Sequence, residues 1–336
     1  MKQVFITGAT GFVGVKLVRT LLESGAAILH LLVRESEGDS PEDRVKNLLG
    51  KYYSPEQSQE YLRRIRVIKG DICAENLGMS GADWNRLAQK IDTIFHSAAN
   101  INFGLPYEKA REINLDGTKR ILAFAAKCRE NKVLQRLNHL STAYVAGKSK
   151  RFRETDFAIG QEFSNTYEQT KLEAELEVLK ASEMGLPAMI FRPSIISGKK
   201  GEAAKSGILF IFRQCLLRGN NKDFICNDDS ELNIVPVDYV VEAMLHISKA
   251  EANLGKAFNL TCRQNVNVKQ MIIDSCRLLN LELPAFYSIA NKENASKFTR
   301  LALSMFLDYL DICHTFDDSL AQEALRGSGI ECVARE

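Results

Sequence analysis

Unbroken apolar runs rich in β-branched residues alternate with amphipathic stretches along the first part of the chain. The run QVFIT (3–7) reads as a buried strand, followed by a helix from about Phe12 to Ser24 that closes at Gly25. Further strands are expected at 28–33, 64–70, 92–99, 135–142 and 187–194, with helices notably at 107–130 and 165–184. Strands covered on both faces lose the in/out alternation, and strands joined by helices pair in parallel. The pattern therefore predicts an α/β fold, a doubly wound parallel sheet, over residues 1–194. After Pro193 the rhythm changes to a basic loop, an apolar helix at 208–217 and a polar run at 227–233. A helix opening at a proline (235–250), a short strand in KAFNLT and helices at 267–280 and beyond 292 follow. Residues 195–336 are expected to form a small, mainly helical lobe over the carboxyl edge of the sheet, with 235–262 partly returning to the core.

Composition narrows the class. The chain has 336 residues, 45% hydrophobic and 26% charged, with a net charge of +2, ordinary values for a soluble globular protein that argue for no nucleic-acid partner. No secretory pattern opens the chain. The apolar run LALSMFLDYLDI (301–312) carries two aspartates and is too short to span a bilayer. The eight cysteines include no C-x-x-C and the five histidines are dispersed. They read as reduced thiols of a cytoplasmic protein with no metal site.

Chemistry enters at the first strand's end, where TGATGFVG (7–14) sets Gly8, Gly11 and Gly14 in G-x-x-G-x-x-G spacing. Between a strand and a helix, such a turn lets the backbone approach a pyrophosphate while the helix N-terminus faces it. The second strand ends in LLVRES. Arg34 is suited to hold a 2′-phosphate, which favours NADP(H) over NAD(H), although Glu35 beside it is suited to a ribose hydroxyl. Asp71, in KGDI, is placed either to accept from an adenine amino group or to hold a turn.

A second cluster lies downstream. In TYEQTK (166–171), Tyr167 and Lys171 are one helical turn apart and share a face. A lysine beside a phenol is expected to lower the phenol's pKa and make it a usable acid. Asn165 with Glu168, or Thr166 with Gln169, forms a capping box that starts this helix. LSTAYVAG (140–147) ends another strand; of Ser141 and Thr142, which alternate across a strand, one is expected to face the crevice. A hydroxyl, a tyrosine and a lysine beside a dinucleotide site suit hydride transfer with proton donation. The plainer reading of Y-x-x-x-K alone is an ordinary amphipathic helix.

TGATGFVG, GDI, HSAA, INLDGT, STAYV, YEQTK and FRPS occur in this order in extended short-chain dehydrogenases/reductases, which the chain resembles over about residues 1–260. Within them, TGATGFVG…LLVR, STAYVAG and PVDYV look most like the thioester reductase branch. That branch includes terminal reductase domains of nonribosomal peptide and polyketide synthetases, carboxylic acid reductases and fatty acyl-CoA reductases. The resemblance implies a Rossmann domain with Thr142, Tyr167, Lys171 and Asn114 as catalytic residues, Asn114 ordering a water near the lysine. It implies cofactor binding by Gly8, Thr10, Gly11, Phe12, Val13, Gly14, Arg34, Asp71, Ile72, Ala98, Ala99, Tyr167, Lys171 and Pro193. The implied reaction is NADPH-dependent reduction of an acyl thioester to an aldehyde, or onward to an alcohol. The substrate would arrive on an acidic carrier protein or on coenzyme A. Basic residues at 199–222 and at Lys148, Lys150, Arg151 and Arg153 are candidates to receive such a carrier. The apolar face at 208–217 is a candidate acyl channel or simply core. The alternative is an extended reductase, epimerase or dehydratase acting on a ketone or sugar nucleotide with the same residues.

Overall fold

The computed structural model describes residues 1–36, 38–198, 207–217 and 222–332. Lys199, Lys200, Glu202, Lys205 and Arg218 of the expected basic loop lie outside that set. Seven strands form one parallel sheet: β1 (Lys2–Thr7), β2 (Ala27–Val33), β3 (Ile65–Lys69), β4 (Thr93–His96), β5 (Arg136–Leu140), β6 (Ala188–Pro193) and β7 (Ala257–Leu260). Their spatial order is β7-β6-β5-β4-β1-β2-β3, every pair parallel. The chain runs outward in one direction from β1 to β3 and in the other from β4 to β7. The crevice between the carboxyl ends of β1 and β4 is the place such a sheet offers to a ligand.

Helices cover both faces: α1 (Phe12–Glu23), α2 (Pro41–Gly50), α3 (Gly117–Glu130), α4 (Thr166–Glu183), α5 (Ile208–Leu217), α6 (Val237–Ile247), α7 (Val268–Leu278), α8 (Leu307–Asp311) and α9 (Ser319–Leu325). Alternation along β1 divides the core. Val4 and Ile6 pack with Leu17 and Leu22 of α1 and Val240 and Met244 of α6 on one face. Phe5 packs on the other face with Ile94, Ile121 and Phe124. The expected helix at 107–130 is present, but its Glu112–Asp116 stretch winds as a π turn that holds Asn114.

Within residues 235–262, α6 packs on α1 and β7 completes the sheet. A later return was not anticipated. Residues after 316 fold back, α9 joins the α1–α6 face of the core, and Cys332 forms a disulfide with Cys262. This corrects the expectation that all eight cysteines are free. The two partners are 70 positions apart, so only the tertiary return brings them together. The remaining lobe has its own core of Ile208, Phe212, Phe224, Ile272, Phe306 and Tyr309.

Two strands end earlier than their apolar runs suggest. β4 stops at His96 and β5 at Leu140. Thr142 then caps a 3-10 turn (Ala143–Ala146) by accepting from the Tyr144 N–H at 3.2 Å. A strand that ends at the crevice edge releases its next residues from pairing, and these become available to a ligand.

Candidate active site

A cleft of about 1160 Å3 runs from the glycine turn to the lobe. Gly8, Thr10, Gly11, Phe12, Val13 and Gly14 line one end; Thr142, Tyr167, Lys171, Ala99 and Pro193 line its middle. Two glycines are sterically required. Gly8 has φ +70°, and a Cβ there would meet the Ala98 nitrogen at 2.7 Å. A Cβ on Gly14 would sit 2.0 Å from the Gly8 carbonyl oxygen, so only glycine lets α1 start this close to β1. Thr7 locks the turn from below. Its hydroxyl accepts from the Ala98 N–H at 3.2 Å and bonds His96 Nδ1 at 2.7 Å.

Two ion pairs stand at the far end of β2. Arg34 lies 3.7 Å from Asp71, and Glu35 is taken up by Lys69 at 2.6 Å. Glu35 therefore does not confront a 2′-phosphate unpaired. Asp71 also accepts from the Cys73 N–H at 2.9 Å, the turn role considered from the sequence. Arg44 of α2, which sequence reasoning missed, reaches across to donate to the Arg34 carbonyl at 2.6 Å and to the Thr10 hydroxyl at 3.0 Å. The Arg44 guanidinium thus reaches the glycine turn, while that of Arg34 faces Asp71. Ile72 packs against Gly117 and its carbonyl accepts from Arg120.

The catalytic candidates converge as the helical spacing predicts. Asn165 caps α4, its side chain accepting from the Glu168 N–H at 3.0 Å. Tyr167 and Lys171 then both face the cleft. Ser141 and Thr142 both line it as well, because the strand's alternation has ended by that point. The Thr142 hydroxyl lies beside the Tyr167 phenol and donates to the Pro193 carbonyl at 3.4 Å, while Ser141 Oγ and Ser194 Oγ are buried without partners among the described residues. Unpaired hydroxyls in a cleft are groups a bound ligand can satisfy.

The electrostatics differ from expectation in one respect. Lys171 was expected to lower the phenol. Instead burial pushes Tyr167 up to about 12, with Thr142 pulling it down and Glu168 adding to the rise. The lysine ammonium is turned to the Leu140 carbonyl at 2.8 Å and lies 3.4 Å from His139 Nε2. Burial lowers Lys171 to about 8, while Glu175 holds it up. His139 and His96 are buried and kept neutral, desolvation first and the Lys171 charge second.

Asn114 is buried below the cleft. Its Oδ1 accepts from the Asn100 N–H at 2.8 Å; its amide donates to the Asn100 carbonyl and the Thr170 hydroxyl, each at 3.1 Å. These bonds join the loop after β4 to α4, and among the described residues none joins Asn114 to Lys171. Sequence reasoning also missed Phe103 and Tyr309, which line the cleft beside Tyr167. Phe103 lies in an irregular loop and Tyr309 in a one-turn helix, and no motif marks either.

The profile of the Male sterility protein family matches residues 6–244. The chain belongs to that family. With it comes membership in the thioester reductase branch of the extended short-chain dehydrogenases/reductases, NAD(P)H-dependent oxidoreductases built on a Rossmann sheet. The non-canonical nonribosomal peptide synthetase cpsA of Aspergillus campestris is 33% identical over 269 residues, covering 77% of this chain and 25% of that protein. The putative fatty acyl-CoA reductase CG8306 of Drosophila melanogaster is 32% identical over 228 residues, 58% of this chain and 43% of that one. The chain thus spans a quarter to under a half of these curated relatives. Among solved structures, the terminal R domain of the myxalamid PKS-NRPS pathway superposes with a TM-score of 0.81 at 25% identity, covering all of this chain and 87% of that domain. No helix among the described residues is long and apolar enough to cross a membrane.

Proposed function

We propose that this family member reduces an acyl thioester, carried by a carrier protein or coenzyme A, to an aldehyde with NADPH. The observation that carries this reading is one continuous cleft holding both the glycine turn and the Thr142–Tyr167–Lys171 cluster. The cradle left by Gly8 and Gly14 fits a dinucleotide pyrophosphate. A guanidinium lining the cleft at the glycine turn, Arg44, with Arg34 at the tip of β2, supports NADPH over NADH. The nicotinamide supplies the hydride when bound. Thr142 and Tyr167 are the donors for the oxyanion that develops as the thioester carbonyl is attacked, and its collapse releases a thiol. A second round on the aldehyde yields an alcohol, with Tyr167 as the proton source.

Beyond Tyr167 the described lining is apolar: Ile101, Phe103, Phe306, Ile195, Ile208 and Leu209. The charged lining residues other than Lys171 gather toward the glycine turn and α2. An apolar acyl chain suits that end. The basic knot at 148–153 gives weaker support for an acidic carrier than its sequence suggests. Lys148 pairs with Asp308 at 3.3 Å and Arg153 with Asp156 at 2.9 Å, leaving Lys150 and Arg151 exposed.

NADPH oxidation followed at 340 nm with octanoyl-CoA, octanoyl-carrier protein and a ketone control tests the proposal. Thioester-dependent turnover that disappears in Tyr167→Phe is expected, and the faster carrier identifies the partner. Binding of NADPH without turnover of any thioester refutes the reading.

A further inference from the structure

Next to Tyr167 the chain buries an acid whose carboxyl group does more than close the start of α4. Glu168 is 1% exposed, and its carboxylate is met by three donors from different places. Ser164 N–H gives 2.8 Å, Asn165 Nδ2 gives 3.4 Å, and the Tyr309 hydroxyl, arriving from α8 of the lobe, makes the third bond. Asn165 Nδ2 also donates to the Tyr309 oxygen at 3.0 Å. Tyr309 is joined to Tyr167 a second way. The Phe103 ring lies between them, 5.5 Å from the Tyr167 ring and 5.4 Å from the Tyr309 ring, tilted 24° and 9° respectively. A buried carboxylate is costly unless hydrogen-bonded, and here the lobe supplies one of the bonds that hold it.

We propose that Glu168 and Tyr309 are a positioning pair for Tyr167. The lobe's hydroxyl and the buried carboxyl group fix the first turn of α4, and the charge on that group sets how readily Tyr167 gives up its proton. The inference rests on Tyr167 being the acid of the proposed reaction.

The sign follows from the surroundings. Burial raises the Glu168 carboxyl to about 7, with the Tyr309 hydrogen bond pulling it down and Asp308 pushing it up. Tyr144 faces the same group from the turn after Thr142, and Asp308 is itself paired with Lys148. Below about pH 7 Glu168 is neutral and Tyr167 is the stronger acid. Above it, the new negative charge opposes formation of a phenolate one residue away. The rate of the proton-donating step therefore falls as pH rises through 7. A drop of roughly threefold is expected for a shift of about one pK unit under ordinary Brønsted behaviour.

The experiment is single-turnover NADPH oxidation from pH 5.5 to 9 with octanoyl-CoA, or octanoyl-carrier protein if faster. It compares wild type, Glu168→Gln, Tyr309→Phe and Tyr167→Phe. Glu168→Gln should abolish the limb near pH 7. Tyr309→Phe keeps the ring stack but removes the donor, so it should move the limb to higher pH. Neither should change the KM for NADPH. A merely structural role would lower activity at every pH and leave the limb where it is. A wild-type rate flat across pH 7, or a limb unmoved in both variants while Tyr167→Phe is inactive, overturns the pair. If Glu168→Gln fails to fold, Tyr309→Phe decides alone. Absence of wild-type turnover, or full activity in Tyr167→Phe, overturns the functional reading beneath it.

Discussion

The catalytic helix is tied to the sheet by one fully buried ion pair, which makes a sharp test of how the site is held. Arg192 of β6 and Glu175 of α4 are both 0% exposed. Arg192 Nε lies 3.0 and 3.1 Å from the two Glu175 oxygens, and Nη2 donates to Oε2 at 2.6 Å. The guanidinium also donates to the Asp156 carbonyl at 2.9 Å and lies 4.6 Å from the centre of the Phe157 ring. Removing the carboxylate strands a cation that three side-chain bonds had satisfied, and the remaining carbonyls of Arg153, Glu154 and Asp156 cannot replace a charge. Glu175→Ala should therefore cost about 3–5 kcal/mol, the usual penalty for an unpaired buried charge. That is a large share of a total stability of about 5–15 kcal/mol, and it corresponds to a midpoint lowered by roughly 4–7 °C. The double variant Glu175→Leu/Arg192→Met removes both desolvation penalties and should cost much less than the sum of the singles. Urea unfolding of wild type, Glu175→Leu, Arg192→Met and the double gives the coupling energy directly, with Glu175→Ala measured beside them. A Glu175→Ala cost below about 1 kcal/mol, or a double variant as unstable as the sum of the singles, would refute the reasoning. Glu175 is also the group that holds Lys171 up, so any surviving Glu175→Ala enzyme should carry a lysine that loses its proton at lower pH.

Three further outcomes are expected. Gly14→Ala should abolish cofactor binding in a fluorescence titration, because its Cβ would collide with the Gly8 backbone; binding within tenfold of wild type would show that the turn relaxes. Arg34→Ala and Arg44→Ala should each weaken NADPH by about 10- to 100-fold while changing NADH little, as expected for a lost charge-assisted contact of ~1.5–3 kcal/mol. An unchanged NADPH-to-NADH ratio places the 2′-phosphate elsewhere. Glu154 caps α9 and β7 through the Ala321, Leu320 and Asn259 N–H groups, yet burial raises it to about 7. Its folded pKa lies above its unfolded value of 4.5, so its stabilising contribution is present below pH 4.5 and is lost as pH rises through 7. Relative to Glu154→Gln, wild-type stability should fall by at most ~3 kcal/mol between pH 5 and 8; parallel pH curves would contradict the burial argument.

Much of this protein is determined locally and is legible along the chain. The runs at 3–7, 28–33 and 187–194 are short and mostly apolar, as strands covered on both sides are, and the helices between them favour parallel pairing. The spacing of Gly8, Gly11 and Gly14 and the one-turn offset of Tyr167 and Lys171 are local geometry, so their convergence on one crevice followed from strand order alone. What escaped depends on contacts between distant segments. Arg44 reaches the glycine turn only because α2 folds beside it. Phe103 and Tyr309 meet Tyr167 from a loop and from the lobe, and Cys332 meets Cys262 after the tail has come back over the sheet. The direction of the Tyr167 shift is hidden from the sequence for the same reason. Spacing reveals which charge is near in sequence, whereas burial, the largest cause of the shift, exists only once the whole chain has closed around the phenol.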